Sequence, residues 1–453
     1  MNKISILLSL IYTFLFSSSV LAETTVIRSS ILHFTQDPAK TTDVTDAYQY
    51  FDDGLLVIEN GHVRSVKAFT ESDATQHTEI IDHRGKLVVP GFIDTHIHYP
   101  QTQMIAAYGE QLLEWLETYT FPTEKEFEDA THSQKISQFF INELLKNGTT
   151  SALVFGTVHP QSVDALFEEA LKIDMRIIAG KVMMDRNAPE YLLDTPESSY
   201  ADSKSLIEKW HNFQRLRYAI TPRFAPTSSP EQLAAAGKLK AEYPDVYVHT
   251  HISENKNEIE WVKSLFPDRE GYFDTYEHYG LAGDRSIFAH AVHLTDKEWD
   301  SFKRTDSVIS FCPTSNLFLG SGLFDLQTAE QKGVRVGLGT DVGAGTSFNQ
   351  LESLSEAYKI MQLQGQKLSV FKGLYLATLG GAESLSIEDK VGNFETGKEA
   401  DFVVLNWAST DLQKLRHKHS TDLEDKLFAL MMLGDDRNVH ATYVAGKLAY
   451  SED

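Results

Sequence analysis

Cysteine is almost absent: Cys312 is the only one in 453 residues. An intrachain disulfide is therefore excluded, and so is any zinc centre built from several thiolates. Positive charge is scarce as well. Against 64 acidic side chains stand 41 basic ones, a formal charge of −23. Such an excess repels phosphate backbones and anionic lipid surfaces and argues against a nucleic-acid partner, while a neutral small molecule is compatible with it. The chain has no internal repeat and no low-complexity tract, and past its first 22 residues no run is long and apolar enough to span a bilayer. The apolar and charged fractions, 42% and 23%, are ordinary, which excludes collagen-like, coiled-coil and wholly disordered chains.

Residues 1–22, MNKISILLSLIYTFLFSSSVLA, read as an address rather than a fold. Lys3 is the single charge, an apolar run covers Ile4 to Phe16, and small residues precede Glu23. This is the layout of a cleavable signal peptide. The apolar run is shorter than the roughly 20 residues of a comfortable bilayer span, so an uncleaved anchor is the weaker reading. Export to a periplasmic or extracellular compartment is expected, with a mature chain beginning at Glu23 and no membrane span left after cleavage.

Short alternating segments fill residues 24–89, among them Gly54–Glu59 and Lys86–Val89, with Asn60-Gly61 marking a hairpin turn. The tail from Gly392 repeats the style in Asp401–Leu405 and Ala441–Gly446. Neither end holds enough strand for a core of its own, so residues 23–89 and 392–453 are expected to build one small β-sandwich domain together. Between them, eight strand-like segments alternate with helical patterns: Phe92–His98, Ser151–Thr157, Met175–Val182, Arg217–Phe224, Val246–Ser253, Ser286–Leu294, Ser307–Ser315 and Val334–Val342. Ile136, Phe139, Phe140 and Leu144 exemplify the helical spacing, with Asn147-Gly148 as the stop. Eight alternations predict a (β/α)8 barrel over residues 90–391. The competing doubly wound sheet would carry a glycine-rich phosphate loop after its first strand, and none is there.

A barrel builds its site at the C-terminal ends of its strands. The first predicted strand ends in Asp94-Thr95-His96-Ile97-His98, whose two histidines at i and i+2 share a face about 7 Å apart along the backbone. The fifth ends in His249-Thr250-His251-Ile252-Ser253-Glu254, the sixth carries His290 and the eighth ends in Thr340-Asp341. Singly, each has a bland explanation: a core histidine for His290, a helix cap for Asp341. Four strands delivering imidazole and carboxylate to one mouth point instead to zinc or a similar divalent ion with an open position for water. Glu254 lies just outside a helix that Asn255 and Glu258 already cap, which leaves its carboxylate for proton transfer to and from that water. His249 reads as a barrel-core histidine. Lys181 could bridge two metals if carbamylated, but a structural lysine is the simpler reading.

Pro90–Gln101 (PGFIDTHIHYPQ) resembles the opening motif of the metal-dependent amidohydrolase superfamily, and HTHISE, FAHAVHL and GLGTDVGAG resemble its later strand ends. LLEWLETYTFPTE, TPRFAPTSS and SFCPTSNLFLGSGLF are similar to the guanine deaminase family within it. The resemblance implies one Zn²⁺ per chain on His96, His98, His251 and Asp341. It implies that Glu254 moves protons between the attacking water and the purine while His290 and Asp341 orient that water. Guanine would be held by Gln101, Arg223 and Phe224, in contact with His98, His251 and Glu254, and converted to xanthine and ammonia. Trp115 either closes the pocket or is a plain core aromatic. Members of the family are usually cytoplasmic and homodimeric; the leader departs from the first of these.

Nucleobase deaminases of the cytidine type need a Pro-Cys-x-x-Cys zinc site, which a chain with one cysteine cannot form. Two readings compete with guanine. A sister enzyme acting on a pterin or triazine would keep the metal residues and change the pocket, against which Gln101 and Arg223-Phe224 stand. A non-catalytic scaffold would have shed ligands, and here every one is present.

Overall fold

The structure is a computed structural model and describes residues 23–76, 79–109 and 111–452. The expected signal peptide, residues 1–22, lies outside the described residues. No helix among them is long and apolar enough to cross a membrane.

Both chain ends meet in one seven-stranded sheet. Its strands are β1 (Thr24–Phe34), β2 (Tyr48–Glu59), β3 (His62–Ala68), β4 (Ile81–Pro90), β14 (Phe402–Asn406), β15 (Val439–Val444) and β16 (Lys447–Ser451). They run in the order β16-β15-β14-β4-β1-β2-β3. The β2–β3 turn is Asn60-Gly61, with φ of 51° and 78°, the doubly positive conformation that matches strand twist in a two-residue hairpin. β14 pairs antiparallel with β4, Phe402 facing Pro90 and Asn406 facing Lys86, so the two ends of the chain are stitched through the middle of the sheet. Ile27, Ile31, Leu56, Ile58, Val88, Phe402, Val404 and Tyr443 form an apolar cluster of its own.

The remaining strands are all parallel: β5 (Phe92–His98), β6 (Thr149–Phe155), β7 (Arg176–Gly180), β8 (Val182–Met183), β9 (Arg217–Pro222), β10 (Tyr247–Ile252), β11 (Ser286–His290), β12 (Val308–Phe311) and β13 (Arg335–Leu338). They follow one another in chain order, with the two-residue β8 pairing β9 off the main path. Closure comes from the segment after β13, where the Asp341 N–H donates to the His96 carbonyl at 2.9 Å and the His98 N–H to the Val342 carbonyl at 2.8 Å. β5, β6, β7, β11 and β12 are buried at every position, as parallel strands covered on both faces must be.

The barrel expected from the sequence is therefore present, with strands that stop earlier than their apolar runs. Met175–Val182 divides into β7 and the start of β8. Ser286–Leu294 ends at His290, because His290 and Ala291 have φ of 74° and 52°. Ser307–Ser315 ends at Phe311, because Pro313 opens a helix, Pro313–Phe318. One helix face also differs. In the helix Ala130–Lys146, Phe140 and Leu144 are buried, but Phe139 is 53% exposed. It lies one residue, about 100° of rotation, behind Phe140.

Candidate active site

His96 and His98 project from the end of β5, and both are buried. His251 follows from β10, and Asp341 from the loop after β13. The Nε2 atoms of His96 and His98 are 3.2 Å apart, and that of His251 is 3.2 Å from His98. Asp341 Oδ1 lies 3.1 Å from His96 Nε2 and 3.2 Å from His98 Nε2. One ligand atom from each of the four residues thus falls within 4.8 Å of the others.

The close approach of β12, β13 and β5 has a steric condition. A Cβ on Gly339 would sit 2.6 Å from Ser310 Oγ and 2.9 Å from His96 Cβ, so only glycine lets the chain pass there on its way to Asp341. Asp94 fixes the same junction from the other side. Its Oδ1 accepts from the backbone N–H groups of His96 and Thr340, both at 3.1 Å, and its Oδ2 accepts the Thr340 hydroxyl.

The cluster passes a chemical test for a divalent cation. The Arg223 carbonyl, 2.7 Å from His251 Nδ1, can only accept, so Nδ1 carries the proton and Nε2 presents a lone pair to the centre. Burial lowers the pKa of all three imidazoles, that of His98 to about 3, which keeps them neutral. Neutral nitrogen lone pairs and one carboxylate converging on a point are the donor set that zinc and its neighbours prefer.

Glu254 stands beside this cluster, buried, with the Ser321 hydroxyl donating to its Oε1 at 2.8 Å. Burial, aided by the negative charge of Asp341, raises its pKa to about 8 against the pull of that hydrogen bond. The helix Lys256–Leu265 is capped by Asn255 and Glu258, as the sequence reading expects. His290 Nε2 lies 3.5 Å from Glu254 Oε2 and 3.8 Å from Asp341 Oδ2, and its Nδ1 faces Asn316 Oδ1 at 2.9 Å.

A small cavity opens onto these groups, and Gln101, Trp115, Arg223 and Phe224 line it together with His98, His251, Glu254, His290 and Asp341. Of the proposed site residues, only His96 does not line it; it sits behind His98. Every candidate site residue named from the sequence is thus gathered at one barrel mouth. His249 is not a fully satisfied core histidine. Its Nε2 meets His96 Nδ1 at 2.7 Å, but its buried Nδ1 has no hydrogen-bond partner among the described residues. Lys181 is structural and pairs with Asp194 at 2.5 Å.

Comparisons with known proteins establish the family. The amidohydrolase family model matches residues 87–449. Guanine deaminase of Escherichia coli K12 is 59% identical over 94% of this chain and 98% of that protein. The chain belongs to the guanine deaminase family of amidohydrolases. The solved structure of the E. coli guanine deaminase superposes with a TM-score of 0.93, covering 95% of this chain and all of that one. The guanine deaminase of Clostridium acetobutylicum with bound guanine, 31% identical, superposes at 0.86 over 94% and 100%.

Three buried residues of this guanine deaminase family member escape sequence reasoning: Ser321 on Glu254, Asn316 on His290, and Glu124, whose carboxylate touches both Arg223 and Gln101. For Glu124 a signal existed. A carboxylate at the end of Phe121-Pro122-Thr123-Glu124, next to aromatic and apolar residues, invites the question of what it pairs with.

Proposed function

We propose that this chain hydrolyses guanine to xanthine and ammonia, with one Zn²⁺ held by His96, His98, His251 and Asp341. One observation carries the reading: a His/Asp cluster with a buried carboxyl beside it shares a cavity with Gln101, Arg223 and Phe224. Guanine as substrate is supported by relatives named as guanine deaminases at 59% and 40% identity and by a structural neighbour that holds guanine.

When bound, zinc would lower the pKa of a water molecule towards neutrality and stabilise negative charge on its oxygen. The protein's own groups do the rest. Arg223 offers donors alone and suits the acceptor oxygen and nitrogen on the six-oxo side of the base. Phe224 offers an aromatic face, and Gln101 reads an edge with both donors and acceptors. His98, His251 and Glu254 border the end where the amino group lies.

Glu254 takes a proton from the attacking water and passes it to the ring nitrogen beside the amino-bearing carbon. The C–O bond forms at that carbon, Glu254 carries the remaining hydroxyl proton to the amino group, the C–N bond breaks and ammonia leaves. His290 and Asp341 border the attacking water and orient it. Glu254, buried beside the cluster with one oxygen held by the Ser321 hydroxyl, is placed for transfer in both directions, the role of a general acid–base group.

Export of the mature chain and a homodimer belong to the same proposal, the first on the leader and the second on the family resemblance. The deciding experiment takes the chain from Glu23, supplied with zinc, and follows ammonia release and purine absorbance with guanine, adenine, cytosine and a pterin. Ammonia and xanthine from guanine alone are expected. A protein that holds one zinc and leaves guanine untouched would overturn the substrate reading and leave the metal site standing.

A further inference from the structure

Glu124 is a carboxylate 1% exposed, on the short helix Phe121–Lys125. The turn before it, Leu116–Thr120, is a wide π-type turn, a device that recurs at functional sites. Both Glu124 oxygens accept from one nitrogen of Arg223, Nη1, at 2.9 and 2.8 Å. Oε1 also accepts from Gln101 Nε2 at 3.2 Å. On its far side, Gln101 Oε1 accepts from the Gly343 N–H at 3.3 Å.

This arrangement leaves no freedom in what the cavity presents. A carboxylate only accepts and a backbone N–H only donates, so the Gln101 amide has one orientation that satisfies both neighbours. Turning it over would set its oxygen against the carboxylate and its NH₂ against an N–H. Arg223 has spent one nitrogen on Glu124, and its Nε and Nη2 make no hydrogen bond among the described residues, so they remain for a ligand at the cavity. Glu124 also cancels the guanidinium's charge. The pocket wall is therefore rich in donors, nearly neutral and rigid.

We propose that Glu124 is the positioning residue that sets specificity at the six-position of the purine: it locks Arg223 and Gln101 so that this end of the pocket accepts an oxygen and rejects an amino group. The proposal rests on the reading that guanine binds in this cavity. A six-oxo purine shows acceptors on this edge, whereas a six-amino purine shows a donor. Were Gln101 free to turn, its carbonyl could receive that amino group and the discrimination would fade.

Three purines that lack the two-amino group isolate the effect: hypoxanthine with an oxygen at the six-position, purine with hydrogen and adenine with an amino group. Their dissociation constants are measured by calorimetry on the zinc-loaded protein. For the unmodified chain the expected order of affinity is hypoxanthine, then purine, then adenine. Glu124→Gln should weaken hypoxanthine about 10- to 100-fold, the scale of a misplaced binding group, and purine less than about threefold. Glu124→Asp, which keeps the charge but shortens the reach, should fall between. Equal weakening of hypoxanthine and purine would mean that Glu124 only holds the fold together. Adenine binding as tightly as hypoxanthine to the unmodified chain would overturn the proposal even if neither variant folds. Failure of the unmodified chain to bind any of the three would instead bring down the guanine reading beneath it.

Discussion

At the scale of single residues, Glu254 and His251 separate two functions that share a few ångströms. Glu254 is not among the four converging ligand atoms, so Glu254→Gln is expected to keep its metal while turnover falls roughly 10²–10⁴-fold, the usual loss for a general acid–base group. Steady-state kinetics beside elemental analysis check both halves, and near-normal turnover would remove Glu254 from the chemistry. His251→Ala should behave differently. It deletes a lone pair whose direction the Arg223 carbonyl sets, so zinc content and activity should drop together. Full zinc occupancy in that variant would exclude His251 as a ligand.

At the scale of elements, the site depends on how closely three strands approach one another. Gly339 marks that approach: an added Cβ would sit 2.6 Å from Ser310 Oγ and 2.9 Å from His96 Cβ. The atom on His96 is the root of its side chain and cannot swing aside. Gly339→Ala should therefore displace His96, cost about 1–3 kcal/mol of stability as overpacking does, and reduce zinc retention. Thermal melting and metal analysis would show this, and an alanine variant with unchanged melting and zinc would refute the packing argument. The strand-ending residues His290 and Asp341, with φ of 74° and 53°, make a related point. Sequence patterns extended these strands through their functional residues, yet it is the departure from strand geometry that turns those side chains over the barrel mouth.

At the scale of the whole molecule, the face of the barrel opposite the site is joined to the seven-stranded sheet by a buried ion network. Arg176 Nη2 donates to both oxygens of Glu399 at 2.6 Å, Arg215 Nε donates to it at 2.9 Å, and Arg215 also pairs with Asp401. Burial pushes the Glu399 carboxyl up, but Arg215 and Arg176 outweigh it and hold the group below its ordinary value of 4.5. A carboxyl lowered on folding stabilises the protein above its unfolded pKa and loses that contribution as pH falls through the folded one. Stability should accordingly decline on acidification below about pH 4.5. Glu399→Gln should cost about 3 kcal/mol at neutral pH, because it leaves the buried Arg176 without its carboxylate partner, and should flatten the acid part of the profile. Denaturant titrations of both proteins across pH 3–7 test it; parallel profiles would exclude Glu399 from the acid response. The leader is tested at this scale too: intact mass of the protein from its own host should correspond to a chain starting at Glu23, and a retained Met1–Ala22 would overturn the expectation of export.

How much of this the sequence determined by itself follows from where each signal resides. Alternation of apolar runs with helical spacing is local, so the barrel was legible, as was the hairpin at Asn60-Gly61. His96, His98, His251, Glu254, His290 and Asp341 were legible because barrel topology assigns strand ends to one mouth whatever their distance in the chain. Three things were decided only by the tertiary structure. Strand ends could not be placed, since His290 leaves its strand through backbone geometry that neighbouring strands impose. The exposed side of Phe139 could not be told from the buried side of Phe140, because both fit an apolar spacing until a neighbour selects one face. The Glu124–Arg223 and Glu124–Gln101 contacts join residues 99 and 23 positions apart. A carboxylate's partner is whatever the fold places within about 3 Å of it, and nothing in the local sequence records that distance.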